Sequence, residues 1–195
     1  MASIRRGPEM AAPSDSAGPA AETFLPAALR EAGLCLRPQM HTDEAFVRDL
    51  YVSHRWEELQ AVPGWTDEAR LAFLRDQARL QSRHYAEFYY DAQFLIVEKD
   101  GERIGRLYLF HNNRDDLRIV EIGFMPAWRG HGFGTALLQR IQTFAGSVGK
   151  SCSIHVEMNN PARRLYGRLG FVEGKPEGPY ILMEWRPEAL QAKTA

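Results

Sequence analysis

The sequence predicts a mixed α/β domain in which helices cover both faces of a mostly antiparallel central sheet. Three observations lead to this prediction. Apolar residues recur at helical spacing in several stretches, and short runs rich in β-branched and aromatic residues lie between them. Two such runs flank Lys99-Asp100-Gly101-Glu102. An Asp-Gly pair is typical of a hairpin turn, so the strands on either side of it are expected to be antiparallel.

The first predicted elements are a short strand and two helices. The strand covers Leu34–Pro38. Thr42 then precedes acidic residues and an apolar helical stripe, the pattern of a capped helix start. Pro63-Gly64 interrupts the chain, and Thr66 begins a second helix in the same way.

The later elements alternate between strand and helix patterns. Gly149 and Gly170 end the two helices of this part, and Pro161 stands near the start of the second. Strands are predicted at Gln93–Glu98, Arg103–Phe110, Leu117–Met125, Ser151–Val156 and Tyr180–Trp185, and helices at Gly134–Val148 and Pro161–Leu169.

Composition indicates one folded domain behind a flexible tail. The chain has 195 residues, a formal net charge of -1 and 45% hydrophobic residues, which is ordinary for a globular protein. Ala, Pro, Ser and Gly dominate residues 1–30, which we interpret as a tail, and residues 31–190 as a single domain. The balanced charge gives no reason to expect nucleic acid or an anionic membrane as a partner.

Cysteine usage and hydropathy favour the cytoplasm. Cys35 and Cys152 lie far apart, and no Cys/His spacing suits zinc, so no metal is expected. A reducing compartment fits this usage. No apolar stretch has the length of a membrane span, and no apolar segment of a secretory signal follows Arg5-Arg6.

The most informative segment is a glycine-rich turn between a predicted strand and a predicted helix. It reads Arg129-Gly130-His131-Gly132-Phe133-Gly134-Thr135. Free amides at the start of a helix, with the positive end of its dipole, bind phosphate groups well. A P-loop would need Lys before the hydroxyl residue, and a dinucleotide fingerprint would need Gly at position 135, where Thr135 stands.

The segment instead resembles the pyrophosphate loop of the GNAT N-acetyltransferase superfamily, whose pattern is Arg/Gln-x-x-Gly-x-Gly/Ala. A second block, Asn160-Pro161-Ala162-Arg163-Arg164-Leu165-Tyr166-Gly167-Arg168-Leu169-Gly170-Phe171, is similar to the superfamily's Asn-…-Ala-x-x-Leu-Tyr-x-x-x-Gly-Phe signature. The resemblance extends over residues 34–185. It implies a sheet that splays between the strand ending at Met125 and the strand ending near Val156, with CoA in the gap.

The resemblance also implies acetyl-CoA as co-substrate and assigns its contacts. Backbone amides of Phe124 and Met125 would align the pantetheine arm and polarise the thioester carbonyl. Asn160 would contact the pantetheine arm, although Asn159 is a second candidate and either residue could simply cap the following helix. The pyrophosphate would lie on Arg129, Gly130, His131, Gly132, Phe133, Gly134 and Thr135.

Tyr166 takes the superfamily's general-acid position. Acetyl transfer to an amine requires that the departing thiolate gains a proton. A phenol with a pKa near 10 is a suitable donor. The structural alternative is a Tyr166 that is packed in the core with its hydroxyl hydrogen-bonded.

Glu121 is the first candidate for the base that takes the amine proton. It lies in an apolar strand, where a carboxylate is costly to bury without a partner or a task. Alternation places its side chain opposite those of Ile122 and Phe124. The alternative is a Glu121 that is solvated or forms a salt bridge with Arg106 or Arg118. His155, Glu157 or a water chain could also act as the base.

The acceptor amine is left open by the sequence. The segment expected to cover its pocket carries many aromatic residues, some of which belong to the core and some of which could hold a cation. These are Trp56, Trp65, Tyr85, Phe88, Tyr89 and Tyr90. A small amine, an amino acid, an aminoglycoside or a protein N-terminus would all fit. Two alternatives to an enzyme are an inactive CoA-binding module of the same fold and a partner-binding protein, for instance a homodimer, that uses the aromatic patch.

Overall fold

The computed structural model describes residues 18–111 and 114–191. Its strands are Leu34–Pro38 (β1), Gln93–Lys99 (β2), Glu102–Phe110 (β3), Asp116–Phe124 (β4), Ser151–Glu157 (β5), Val172–Glu177 (β6) and Tyr180–Trp185 (β7). Its α-helices are Ala27–Glu31 (α1), Glu44–Gln60 (α2), Asp67–Phe88 (α3), Phe133–Ser147 (α4), Arg163–Arg168 (α5) and Glu188–Gln191 (α6).

The strands form one sheet in the order β1-β2-β3-β4-β5-β7-β6. Every neighbouring pair is antiparallel except β4 and β5, which are parallel because α4 connects them. The fold class predicted from the sequence is therefore confirmed. The only parallel pair of this sheet is also the pair that bears the predicted cofactor gap.

Side chains of alternate residues separate the two faces of the sheet. Leu95 and Val97 belong to the main core, which α4 closes with Leu137, Leu138 and Ile141. Ile96, between them, is fully buried on the opposite face. On that face α2 and α3 pack together and contribute the buried Val47, Leu50, Leu74 and Ala78.

The folded region begins earlier in the chain than the composition indicated. Phe24 is 0% exposed and packs edge-on against Phe144 at 5.1 Å, and Leu25 is 4% exposed. Arg140 Nε donates to the carbonyl of Thr23 at 2.7 Å. The predicted tail is therefore corrected for residues 18–30, because two apolar side chains outweigh the polar and small residues around them. The rest of that tail, residues 1–17, lies outside the described residues.

The strand β6 was not predicted from the sequence. All six of its residues are exposed, and it contains Gly174 and Pro176, so it lacks the apolar alternation by which strands are recognised. It pairs antiparallel with β7 and forms the edge of the sheet. Within the described ranges, no helix combines the length and hydropathy needed to cross a bilayer.

Candidate active site

The strands β4 and β5 pair over only four residues and then separate. Their paired segment joins Asp116–Ile119 to Ser151–Ile154. In the pairing of β3 with β4, Leu109 lies opposite Ile119 and Tyr108 lies opposite Glu121, so Val120 is an extra residue. A bulge of this kind bends the strand that carries it. The remainder of β4 therefore diverges from β5, and a gap opens between them.

A cleft of about 210 Å³ occupies this gap. Residues from α2, α3, both separated strands, the first residue of β7, and α5 with the turn before it form its walls. They include Tyr51, His54, Arg55, Glu58, Gln81, Tyr85, Glu121, His155, Glu157, Asn160, Tyr166 and Tyr180. The structure thus brings together most of the residues predicted for acid, base and pantetheine contacts, although they come from β4, β5, α5 and the turn before α5.

At the end of β4, the backbone N–H and C=O groups of Phe124 point into the gap, whereas the N–H group of Met125 points away from it. The carbonyl oxygen of Phe124 accepts hydrogen bonds from His54 Nε2 at 3.1 Å and Arg129 Nε at 3.0 Å. The N–H and C=O of one strand residue point the same way, so the Phe124 amide also faces the gap. Met125 N–H donates to the carbonyl of Ile104 at 2.8 Å. That amide is engaged within the sheet rather than directed toward the gap.

The glycine turn leads directly from the gap into α4. Gly130 and Gly132 have φ angles of 78° and 82°, a region that disfavours side chains. α4 begins at Phe133, one residue before the predicted Gly134, and Gly132 is its cap. The first amides of a helix have no acceptor inside that helix. Phe133, Gly134 and Thr135 therefore present N–H groups in the first turn, where the sequence predicted the pyrophosphate.

Arg129 and His131 stabilise this turn internally. Besides its bond to Phe124, Arg129 lies 3.4 Å from the carbonyl oxygen of Ser53 in α2. His131 Nδ1 donates to the Arg129 carbonyl at 3.0 Å, and its ring stacks on Phe133 with centroids 5.7 Å apart. The guanidinium therefore joins β4, α2 and the loop.

Tyr166 projects from α5 into the cleft and is 5% exposed. Its ring packs edge-on against Phe171 at 5.9 Å. Burial and the nearby negative charge of Glu121 raise the pKa of Tyr166 to about 12. The phenol is therefore fully protonated near neutral pH, the state that a proton donor requires.

Glu121 forms an ion pair with Arg106, as one of the sequence alternatives proposed. Its Oε1 lies 2.5 Å from Arg106 Nη2, and its Oε2 accepts a hydrogen bond from the Tyr85 hydroxyl at 2.8 Å. Arg106 is only 1% exposed and also donates to Gln81 at 2.9 Å. Burial and the Glu121 charge raise the pKa of Tyr85 well above its usual range. Both carboxylate oxygens of Glu121 are therefore occupied.

The other two candidate bases are also paired with arginines. Arg118 donates to Nδ1 of His155, and burial together with this guanidinium lowers the pKa of His155. Arg55 of α2 donates to Glu157 at 2.8 Å. These contacts bridge β4 to β5 and α2 to β5, so the polar side chains stabilise the walls of the cleft.

Asn160 closes a turn just before α5, whose N-cap is Ala162 and which has no side-chain cap hydrogen bond. Its Oδ1 accepts a hydrogen bond from the Ala162 amide at 2.9 Å, while the residue also lines the cleft. Asn159 is exposed. Among the aromatic residues expected at the acceptor pocket, Tyr85 lines the cleft, whereas Trp65, Phe88 and Tyr90 are exposed elsewhere.

Two cleft residues, His54 and Gln81, were not recognised from the sequence as neighbours of Glu121 and its partner Arg106. They lie on α2 and α3, far from Glu121 along the chain. No local pattern distinguishes a single histidine or glutamine on a helix. For Arg106, a charged residue in an otherwise apolar strand was a usable signal.

The sequence matches the model of the Acetyltransferase (GNAT) family over residues 54–171, more than half of the chain. No curated protein in the comparison matches it. Among similar solved structures is the PaiA N-acetyltransferase from Thermoplasma acidophilum in complex with coenzyme A. It has 17% identity and a TM-score of 0.59, and the match covers 79% of this chain and 99% of that chain.

Two further solved structures have the same fold. PH1933 from Pyrococcus horikoshii OT3 has 20% identity and a TM-score of 0.60, covering 80% of this chain and 99% of that chain. Ard1 from Thermoplasma volcanium has 17% identity and a TM-score of 0.52, covering 79% and 97%. These identities establish the likeness of fold, and the match to the family model establishes the relationship. The chain belongs to the GNAT acetyltransferase family.

Proposed function

We propose that this protein is an N-acetyltransferase that transfers the acetyl group of acetyl-CoA to a primary amine, of a small molecule or a peptide, by direct attack. The observation that carries the proposal is the gap between β4 and β5. Its cleft contains a protonated phenol, Tyr166, and ionisable side chains on the facing walls. A proton donor and proton acceptors in one cleft are what aminolysis of a thioester needs.

The glycine turn supports acetyl-CoA as the co-substrate. The first-turn amides of α4 and the positive end of its dipole favour a phosphate group. The pyrophosphate would bind along residues 129–135, and the pantetheine arm would follow the Phe124 amide into the gap, with Asn160 on the opposite wall. The similar PaiA structure contains coenzyme A, which is consistent with this assignment.

The reaction follows from these positions. The amine nitrogen forms a bond to the thioester carbon, the carbon–sulfur bond breaks, and the electron pair leaves on sulfur. Tyr166 gives its proton to the thiolate, and a base on the cleft wall takes the proton of the amine. The sequence proposed Glu121, His155 or Glu157 for the base. Glu121 also places negative charge in the cleft, which favours a cationic amine.

The acceptor is proposed to enter between α2 and β5. Arg55, Glu58 and Glu157 lie there as an ion-pair cluster, with Tyr51 and Tyr180 beside them. Two carboxylates and a guanidinium can bind an amine and a polar group next to it. This wall therefore suits a small polar amine or the end of a peptide.

The decisive test measures CoA binding and thiol release separately. CoA should raise the melting temperature of the protein, and acetyl-CoA should release free thiol with at least one member of a panel of amines and peptides. Mass spectrometry of the acceptor should show one added acetyl group. A thermal shift without turnover on any acceptor would favour an inactive CoA-binding module. The absence of any shift would contradict the assignment of the glycine turn.

A further inference from the structure

His54 of α2 lies against the end of β4. Its Nε2 is 3.1 Å from the carbonyl oxygen of Phe124. A carbonyl only accepts, so Nε2 must be the protonated nitrogen. In a neutral imidazole the lone pair then resides on Nδ1. Within the part of the chain that the structure describes, no hydrogen bond to Nδ1 is found.

The other base candidates of the cleft are engaged by guanidinium groups. Glu121 would have to accept a proton while facing Arg106, which is 1% exposed. Protonation of Glu121 would leave that buried cation without its counter-ion, a costly change. Glu157 is held by Arg55, and His155 accepts a hydrogen bond from Arg118. Among the described candidates, His54 combines a position in the cleft with a free basic nitrogen.

The surroundings of His54 are suited to a transient positive charge on its ring. Burial lowers the pKa of His54 below its ordinary value, so the imidazole is neutral near neutral pH. The nearby charges are Glu121 on β4, Arg106 on β3 and Arg129 in the loop. Glu121 favours the imidazolium, and the two arginines oppose it. The neutral form thus predominates at rest, and the carboxylate partly compensates the proton that His54 would take up.

We infer that Nδ1 of His54 is the atom that accepts the amine proton during acetyl transfer. This inference rests on the proposed function. In the step, the nitrogen–carbon bond forms and the carbon–sulfur bond breaks. The amine proton passes to His54 Nδ1, and the Tyr166 proton passes to the CoA sulfur. The imidazolium then returns its proton to solvent, and Tyr166 regains one, so that the cycle balances.

The main experiment uses His54→Gln, whose amide can still donate to the Phe124 carbonyl but cannot act as a base. We expect kcat/KM to fall by roughly 10²–10⁴-fold. The acidic limb of the wild-type pH profile, with its midpoint below 6.5, should be lost. The Kd for CoA should stay within about two-fold, because a base does not contribute to cofactor affinity. His41→Gln is the matched control, since that ring is 90% exposed and lies outside the cleft.

The variant Glu121→Gln distinguishes between His54 and Glu121 as the base. If His54 is the base, this variant keeps the acidic limb. An acidic limb that disappears in Glu121→Gln and persists in His54→Gln would overturn the inference. Wild-type-like kcat/KM in His54→Gln would overturn it as well. The activity of the wild-type protein on the amine panel tests the proposed function, and it does so independently of the comparison between variants.

Two further measurements cover a variant that folds poorly and a protein without turnover. His54→Ala should recover part of its activity when imidazole is added, which a structural defect would not show. Nitrogen chemical shifts of the wild-type imidazole should report a proton on Nε2 and none on Nδ1 at neutral pH. The opposite tautomer would contradict the inference whether or not an acceptor has been identified.

Discussion

Gly123 of β4 leaves the space that the imidazole of His54 occupies, because a Cβ atom at residue 123 would overlap Cε1 of the ring. Gly105 of β3, which lies opposite Phe124, is restricted instead by the Gly123 carbonyl and by the ring of Phe124. Glycine at position 123 therefore lets α2 approach the end of β4. The position of His54 against the gap depends on a residue of β4 that has no side chain.

Gly123→Ala should displace His54 and reduce activity more than stability. Overpacking of this kind costs about 1–3 kcal/mol of unfolding free energy. A shift of about 1 Å in a catalytic group can lower kcat/KM on the order of 10²-fold. Urea unfolding and thiol-release kinetics would measure the two effects. Gly167→Ala is the control, because an added Cβ there meets nothing within 4 Å. Equal kinetics in the two variants would contradict the expectation.

Tyr166→Phe should lower kcat by about 10²-fold or more while the Kd for CoA stays unchanged. The phenol proton is lost, whereas the ring and its contact with Phe171 at 5.9 Å remain. Stopped-flow thiol release and calorimetric titration with CoA would separate the two quantities. Tyr90→Phe, at a residue that is 64% exposed, should behave like the wild type. Undiminished turnover in Tyr166→Phe would exclude the acid role.

Gly132→Ala should weaken CoA binding through the backbone of the turn. Its φ of 82° lies in the region where a side chain costs roughly 1–2 kcal/mol. Relief of that strain would reorient the amides that begin α4, and we expect the Kd for CoA to rise about 10-fold, since 1.4 kcal/mol is one decade. Gly149→Ala carries the same strain, with φ 68°, at the other end of α4. A similar change of Kd in both variants would refute a specific effect of the loop.

Asp43 should make the unfolding free energy of the domain depend on pH in the acidic range. It is 1% exposed and accepts hydrogen bonds from Arg37 at 2.7 and 2.9 Å and from the Met40 amide at 2.8 Å. The Arg37 guanidinium holds the pKa of Asp43 well below its usual range. The resulting stabilisation is complete above the unfolded-state pKa of about 3.9 and is lost as the pH falls through the lower folded-state pKa.

Asp43→Asn should therefore lower the unfolding free energy by roughly 1–3 kcal/mol at neutral pH and flatten its decline below pH of about 4. Denaturant unfolding at a series of pH values measures both effects. Asp49→Asn is the control, because Asp49 is 58% exposed and 3.9 Å from Arg48, so a change below about 0.5 kcal/mol is expected. A variant at position 43 that keeps the wild-type acid dependence would rule out Asp43 as its origin.

Phe24→Ala should destabilise the domain by about 3–5 kcal/mol, as expected for a buried aromatic residue. The ring is 0% exposed and contacts both Phe144 and His111, with centroids 5.1 and 6.1 Å apart. Equilibrium unfolding in urea would measure the loss. Phe88→Ala removes a ring that is 60% exposed and should cost much less. A negligible effect at Phe24 would mean that this segment contributes nothing to the fold.

Local features were determined by the sequence alone. The turn at residues 129–135 and the helix that follows depend on neighbouring residues, since glycine conformations, caps and apolar periodicity act within a few positions. Tyr166 could be singled out as the candidate acid because its motif is contiguous. The hairpin of β2 and β3 followed from Asp100-Gly101, and both residues have the positive φ that such a turn requires.

Only the tertiary structure decided the relationships between distant elements. The bulge at Val120 is defined by the partner strand, because β4 shows one extra residue only against β3. In the sequence, Phe24 belongs to a segment with the composition of a tail. Its packing against Phe144 of α4 shows that it is part of the core. The pairs Arg106–Glu121 and Arg55–Glu157, and the contact of His54 with Phe124, join residues 15 to 102 positions apart. Hydrogen bonds and ion pairs depend on distances in space, which the order of residues along the chain does not specify before the sheet and helices pack.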